Sequence, residues 1–273
     1  MIEQLEKLEQ LRKKAANYRN TGWVIIAIFF FLSFIPFSIF IGLICGGIFF
    51  GRSTVLFKQY SQGIKELWSR DVFAEYFDEF SFSEKQGLLK SEIDPSGLIA
   101  NGVDYGSEDL LTAKHKGLSF RQADMKIKRR KRSASQPSFN GQWVIIDLPK
   151  HVAGRVRIRP KVGYHFYEEL EKENKEGLVQ LDHKEFNELF VVDTMDEHEA
   201  YYFLTPHLMD KMLHAREGAQ SHYYSLVGNQ LHIAIYSTKD LYEPPRNRPV
   251  SGDYFDTIRN DIEFILGIIE ELV

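Results

Sequence analysis

The chain has almost no cysteine: Cys45 is the only one among 273 residues. It lies inside an apolar run, so the soluble part has neither a thiol nor a disulfide. That gives weak support for a location in which bridges are not needed. Compact catalytic signatures are absent as well. There is no GxSxG, no phosphate-cradling glycine loop, no HExxH and no CxxC. The sequence therefore predicts no cofactor and no enzymatic reaction. One more thing is missing, and it is local: from Gly22 to Phe50 there is no charged residue.

That charge-free run, GWVIIAIFFFLSFIPFSIFIGLICGGIFF, is long enough to be read as a membrane anchor. A cleavable leader fits poorly, because about twenty polar residues precede it and no clean small-residue cleavage site follows. As one straight helix the run would measure about 43 Å, more than the roughly 30 Å hydrocarbon core. Pro36 stands near its centre, where it would kink one long span or mark the turn of a hairpin. Both flanks are basic, with Lys7, Arg12, Lys13, Lys14 and Arg19 before and Arg52, Lys58, Lys65 and Arg70 after. The positive-inside rule is met on both sides together only if both ends are cytoplasmic, which favours a short helical hairpin over a single pass. Trp23 suits an interfacial position, and Gly42, Gly46 and Gly47 offer a smooth surface for helix contact.

Around this anchor the chain divides into an amphipathic helix at 1–21, the anchor at 22–57, a juxtamembrane helix at 58–80 and a soluble domain at 81–273. In the juxtamembrane stretch Tyr60, Ile64, Leu67, Trp68, Val72, Phe73 and Phe77 recur at helical spacing and predict a packed face. The period then shortens to that of strands. Expected strands are Leu110–His115, Leu118–Lys128, Gln142–Leu148, Gly154–Arg159, Leu189–Val192, Ala200–Leu204, His222–Val227 and Leu231–Tyr236. Turns are expected at Lys116-Gly117, Asn140-Gly141, Ala153-Gly154 and Gly228-Asn229, the last as a two-residue hairpin. Thr205-Pro206 should open a helix that Gly218 closes, and a final amphipathic helix should run from Tyr254 to Val273. The fold class is thus α+β: a helical anchor, then a mostly antiparallel β domain with flanking helices.

The segments SEDLLTAKHKGLSF, FNGQWVIIDLPK, LDHKEFNELFVVDTMDEHEAYYFLTPHLMDKM and LHIAIYS with YEPP, in that order, resemble the uncharacterised bacterial family known as domain of unknown function 3137. The resemblance covers roughly Tyr60 to Pro245 and is most specific from Glu185 to Met212. It implies a pair of hydrophobic segments ahead of the domain and a bacterial cytoplasmic membrane location. It implies no reaction, ligand or catalytic residue.

Charge carries the functional reading. Residues 1–70 hold nine Lys+Arg against four Asp+Glu, while 114–161 hold fourteen bases and two acids inside an otherwise acidic remainder. Lys126, Lys128, Arg129, Arg130, Lys131 and Arg132 form one cluster; period two puts Arg155, Arg157 and Arg159 on one face of a strand. Were these strands neighbours, they would make a basic face suited to anionic lipid or an acidic protein partner. Aromatic interleaving is too thin for nucleic acid, so no nucleic-acid partner is expected. The leading reading is a membrane-tethered, non-enzymatic binding or scaffolding protein facing the cytoplasm. The alternative is a membrane-bound hydrolase or metal-dependent enzyme near His198, His207, Asp210 and His214. Against it, the two helical histidines would lie about 10 Å apart along the axis. The acids Asp104, Glu108 and Asp109 read as a solvated turn.

Overall fold

The computed structural model describes residues 2–99, 103–129, 139–161, 177–215, 221–237 and 242–273. They fall into two compact units, Met1–Tyr76 with Tyr242–Ile258, and Phe77–Leu241 with Arg259–Val273.

In the first unit, α1 (Ile2–Phe31) and α2 (Ser38–Tyr76) are joined by a reversal in which Ser38 Oγ donates to Leu32 O at 2.8 Å. The amphipathic stretch and the first apolar arm are one helix, as are the second arm and the juxtamembrane stretch. α2 runs back along α1. A Cβ on Gly42 would meet Phe29 Cβ at 2.4 Å, and one on Gly46 would meet Ile26 Cγ1 at 2.7 Å, so only glycine permits this approach. Further along, Ser53 Oγ donates to Ala15 O, and the side chain of Leu8 covers Gly63.

Residues 242–250 cross the polar half of these helices like a strap. Tyr242 is buried on Trp68, Ser61 Oγ donates to Glu243 at 3.0 Å, and Tyr60 Oη donates to Pro245 O. Arg12 donates to Arg246 O while Glu9 holds its guanidinium at 2.7 Å. Two cations that would be costly to bury alone, Arg12 and Lys65, are thereby paired, Lys65 with Glu243 at 3.7 Å.

In the second unit, seven strands among the described residues make one antiparallel sheet. They are β1 (Phe80–Ser83), β2 (Val103–His115), β3 (Leu118–Arg129), β4 (Phe139–Pro160), β5 (Gly177–Val179), β6 (Phe190–Thr194) and β7 (Ser221–Tyr236). The order is β1-β2-β3-β4-β6-β5, with β7 also paired to β4. The start of β4 lies between β3 and β7; its end lies between β6 and β7. The helices are α3 (Lys90–Ile93), α4 (Lys184–Leu189), α5 (Glu197–Phe203), α6 (Pro206–Ala215) and α7 (Gly252–Glu271), whose first residues belong to the first unit. One sheet face, with Ala123, Met125, Ile127, Phe139, Trp143 and Ile145, closes on Leu88, Ile93, Leu98 and Ile99.

The mixed α+β class is as expected, but three local expectations fail for physical reasons. Ala200–Leu204 is not a strand: it lies in and just after α5. Asp196 accepts from His198 N at 3.0 Å as an N-cap, and Glu197 and Glu199 sit in the first turn, where the helix dipole favours acids. Ala153-Gly154 and Gly228-Asn229 are not turns. They face each other across β4 and β7, where Val152 pairs with Gly228 and the register shifts on either side. Gly228 takes φ +57°, and the pair makes a bulge, so one long two-stranded ribbon replaces two short hairpins. Asn140-Gly141 also lies inside β4; a Cβ on Gly141 would stand 2.0 Å from Ile235 O. The Lys116-Gly117 turn and the Thr205 cap, with Leu208 N donating to Thr205 Oγ1 at 3.2 Å, are present. Gly218 lies outside the described residues.

Candidate functional site

The first candidate surface is a band of unburied apolar side chains on α1, α2 and the turn between them. Trp23, Ile28, Phe31, Phe34, Ile44 and Val55 are each more than half exposed. Soluble monomers rarely expose so many large apolar side chains together. α2 is long and apolar enough to cross a membrane, and it is not a core helix, since little of its apolar stretch is buried. The contact of Ser53 with Ala15 puts the basic residues Lys14 and Arg19 of α1 beside Arg52 and Lys58 of α2, at one end of the band.

The expected basic face does not assemble as one surface. Lys126 and Lys128 are exposed on β3, where Lys126 pairs with Asn140 at the start of β4 and its ammonium meets Glu108 at 3.2 Å. Arg155, Arg157 and Arg159 lie beyond the bulge at the other end of β4, paired in register with β7 or β6. Fifteen or more strand residues separate the two sets, of the order of 50 Å if the strand were straight. Arg157 is buried. Its Nε donates to Asp193 Oδ1 at 2.6 Å, Arg159 Nε donates to Asp193 Oδ2 at 2.8 Å, and Arg157 Nη1 also reaches Gly97 O. Asp193 therefore turns two of the expected contact residues inward. Arg155 is half-buried, and its guanidinium occupies the space beside Gly97. Arg129 is on β3, but its side chain, like Arg130, Lys131 and Arg132, lies outside the described residues.

The histidines also stay apart. Asp210 bonds His183 Nε2 at 3.2 Å, and His183 caps α4 by accepting from Phe186 N. His214 Nδ1 bonds the backbone oxygen of Asp210 at 2.7 Å; His198 and His207 are exposed. Among the described residues no three His, Cys, Asp or Glu side chains form a group able to hold a metal. The acids near Tyr105 diverge as well. Asp109 is buried at a bulge of β2 with φ +59°, whereas Glu108 faces Lys126 and Asp104 is exposed.

A polar cluster that the sequence reading passed over lies on the sheet face opposite Trp143. Gln122 donates to Asp261 Oδ2 at 2.9 Å, and Gln142, with its amide turned to donate, does so at 2.6 Å. Burial pushes the Asp261 carboxyl up to about 7, although both amide bonds oppose this. The available signal was Gln122 and Asp124 alternating with Phe120 on one face of a strand. Burial also holds His222, packed on Phe264, and His232, which accepts from Trp143 Nε1 at 3.3 Å, down to about 4.

Residues 137–273, half of the chain, match the family described as "Protein of unknown function (DUF3137)". The match starts after the first of the segments quoted above, includes all the others and continues through α7. No curated protein matches. Among solved structures, the crystal structure of the mycobacterial trehalose monomycolate transport factor A, TtfA, is similar at TM-score 0.38 and 10% identity, over 77% of this chain and 97% of that one. That degree of likeness carries no argument about function.

Proposed function

We propose that this chain, which belongs to the DUF3137 family of proteins of unknown function, is a membrane-tethered binding or scaffolding protein whose paired helices dip into the bilayer from one side. The exposed apolar band on α1 and α2 carries the reading. In water each of its large side chains would forgo about 1.5–3 kcal/mol of burial. The reversal between α1 and α2, with Pro36 in it, supports entry and return on the same face. The basic residues at one end of both helices favour the cytoplasmic side for that end.

Tethering suits a binding role, because it holds the second unit at high effective concentration near the surface, where weak contacts suffice. Lys126 and Lys128, with the adjoining 129–132, are the part of the basic sequence suited to a polyanion, either anionic lipid or an acidic partner. The test is membrane retention together with topology. The full chain should stay with membranes after high-salt and alkaline washing, and the Ile28→Arg/Ile44→Arg variant should be released. Reporters fused at residues 1 and 273 should both read cytoplasm. A chain that washes off membranes with its apolar band intact would overturn the tether, and opposite reporter readings would replace the hairpin by a single pass.

A further inference from the structure

We propose that a groove at the polar end of the paired helices binds one anionic glycerophospholipid, its phosphate between Lys14 and Arg52 and an acyl chain along α2. The inference rests on the tether reading and specifies what the tether recognises. The groove has a volume of about 440 Å³ and is lined by Lys14 and Tyr18 of α1 and by Ile48, Gly51, Arg52 and Val55 of α2. Both cations are exposed, and among the described residues neither has an ion pair or hydrogen bond. They differ in this from Arg12, Lys13 and Lys65 on the same two helices, which are all paired with acids.

The apolar wall explains why the ligand is a lipid and not a soluble anion. Ile44, Ile48, Gly51 and Val55 follow one another at helical spacing along one face of α2, leading from the two cations into the exposed apolar band. Gly51 keeps that path open. Unlike Gly42 and Gly46 it faces empty space, with nothing within 4 Å of a Cβ built on it, so packing against α1 does not require a glycine there. Glycine inside a helix is among the least favourable residues, yet here any side chain would project into the groove. Tyr18, steadied by its ring contact with Phe49 at 5.8 Å, brings a hydroxyl to the level at which a headgroup meets the acyl region.

The experiment measures lipid retained by the full-length chain in native mass spectrometry after release from nanodiscs of phosphatidylglycerol or of phosphatidylcholine. The unmodified chain should keep one phosphatidylglycerol and little phosphatidylcholine. Lys14→Gln/Arg52→Gln should lower that retention about thirtyfold, the size expected for two lipid-facing cations. Gly51→Leu, which fills the path and leaves both charges, should lower it as well, while Lys58→Gln should not. Equal retention of the two lipids, an unchanged double variant, or an equal loss in Lys58→Gln would overturn the site. Displacement of the lipid by millimolar inorganic phosphate would make it a soluble-anion site and would also overturn the proposal. Alkaline washing of the same variants separates the two readings: a chain that stays in membranes without selecting phosphatidylglycerol refutes the site alone, and one that washes off refutes the tether.

Discussion

Tyr242 lies flat on Trp68, with ring centroids 4.8 Å apart and planes 13° from parallel, and neither side chain is exposed. The contact spans 174 residues of sequence, and it fastens the strap at 242–250 to the polar half of α2. Tyr254 Oη donates to Tyr242 O at 2.9 Å and fixes the backbone at the same point. Tyr242→Ala should therefore cost about 3–5 kcal/mol, the range for deleting a buried aromatic. Hydrogen exchange should show protection lost in Tyr60 to Trp68 of α2; unchanged protection there would show that the strap holds nothing.

The glycines of α2 should divide sharply. Gly42→Ala forces Phe29 to move and should lower thermal stability in detergent by about 1–3 kcal/mol. Gly47 has nothing within 4 Å of a built Cβ, so Gly47→Ala should be neutral or should stabilise by up to about 1 kcal/mol. Equal effects at the two positions would mean that α1 and α2 do not pack through Gly42.

Asp193→Asn should be among the most damaging single changes in the sheet. It leaves Arg157 buried without its carboxylate, a loss of about 3–5 kcal/mol for a broken buried pair. Lys126→Ser, at an exposed pair with Glu108, should change stability by less than about 1 kcal/mol. Chemical denaturation of both variants checks the ranking.

Opposite pH dependences are built into the second unit. His222 and His232 are held down to about 4, so the stability they contribute is complete above their unfolded pKa near 6.5 and is lost as pH falls toward 4. Asp261 is raised to about 7, so its contribution is complete below the unfolded carboxylate range near 4 and is lost as pH rises through 7. Stability should peak between these limits. Asp261→Asn should stabilise the fold at pH 8 more than at pH 5, by on the order of 2 kcal/mol, read from unfolding curves at the two pH values. His222→Phe should flatten the acid limb. An Asp261→Asn gain that does not vary with pH would show that the carboxyl does not titrate there.

Local chemistry was the readable part of the sequence. Thr205-Pro206 opens α6, and Lys116-Gly117 turns β2 into β3, because cap and turn each act within four residues. Misreadings arose where tertiary pairing overrides local preference. Gly228-Asn229 has the composition of a hairpin turn but lies inside β7 opposite a bulge of β4, since β4 supplies a partner on both sides of it. Of the candidate contact residues, Lys126 and Lys128 were legible as exposed. Arg157 and Arg159 were not, because Asp193 lies more than thirty residues away and nothing in the alternation RVRIR announces it. The groove between Lys14 and Arg52 was likewise hidden. It exists only because α2 runs back along α1 and brings together Lys14 and Arg52, 38 residues apart in sequence.

The length of β4 has a consequence for synthesis. β3 covers one edge of its first half at once, but the other edge waits for β7, as in the pairing of Val144 with Ile233. Between the emergence of Pro160 and of Tyr236 a ribosome adding about 5–20 residues per second works for roughly 4–15 s. Throughout that interval a row of backbone donors and acceptors flanked by Val144, Ile145 and Ile146 has no neighbour, which is the condition under which nascent chains pair with one another. A transcript cut short between codons 161 and 220 would make that edge permanent, so its product should reach proteolysis or aggregates and not the folded pool.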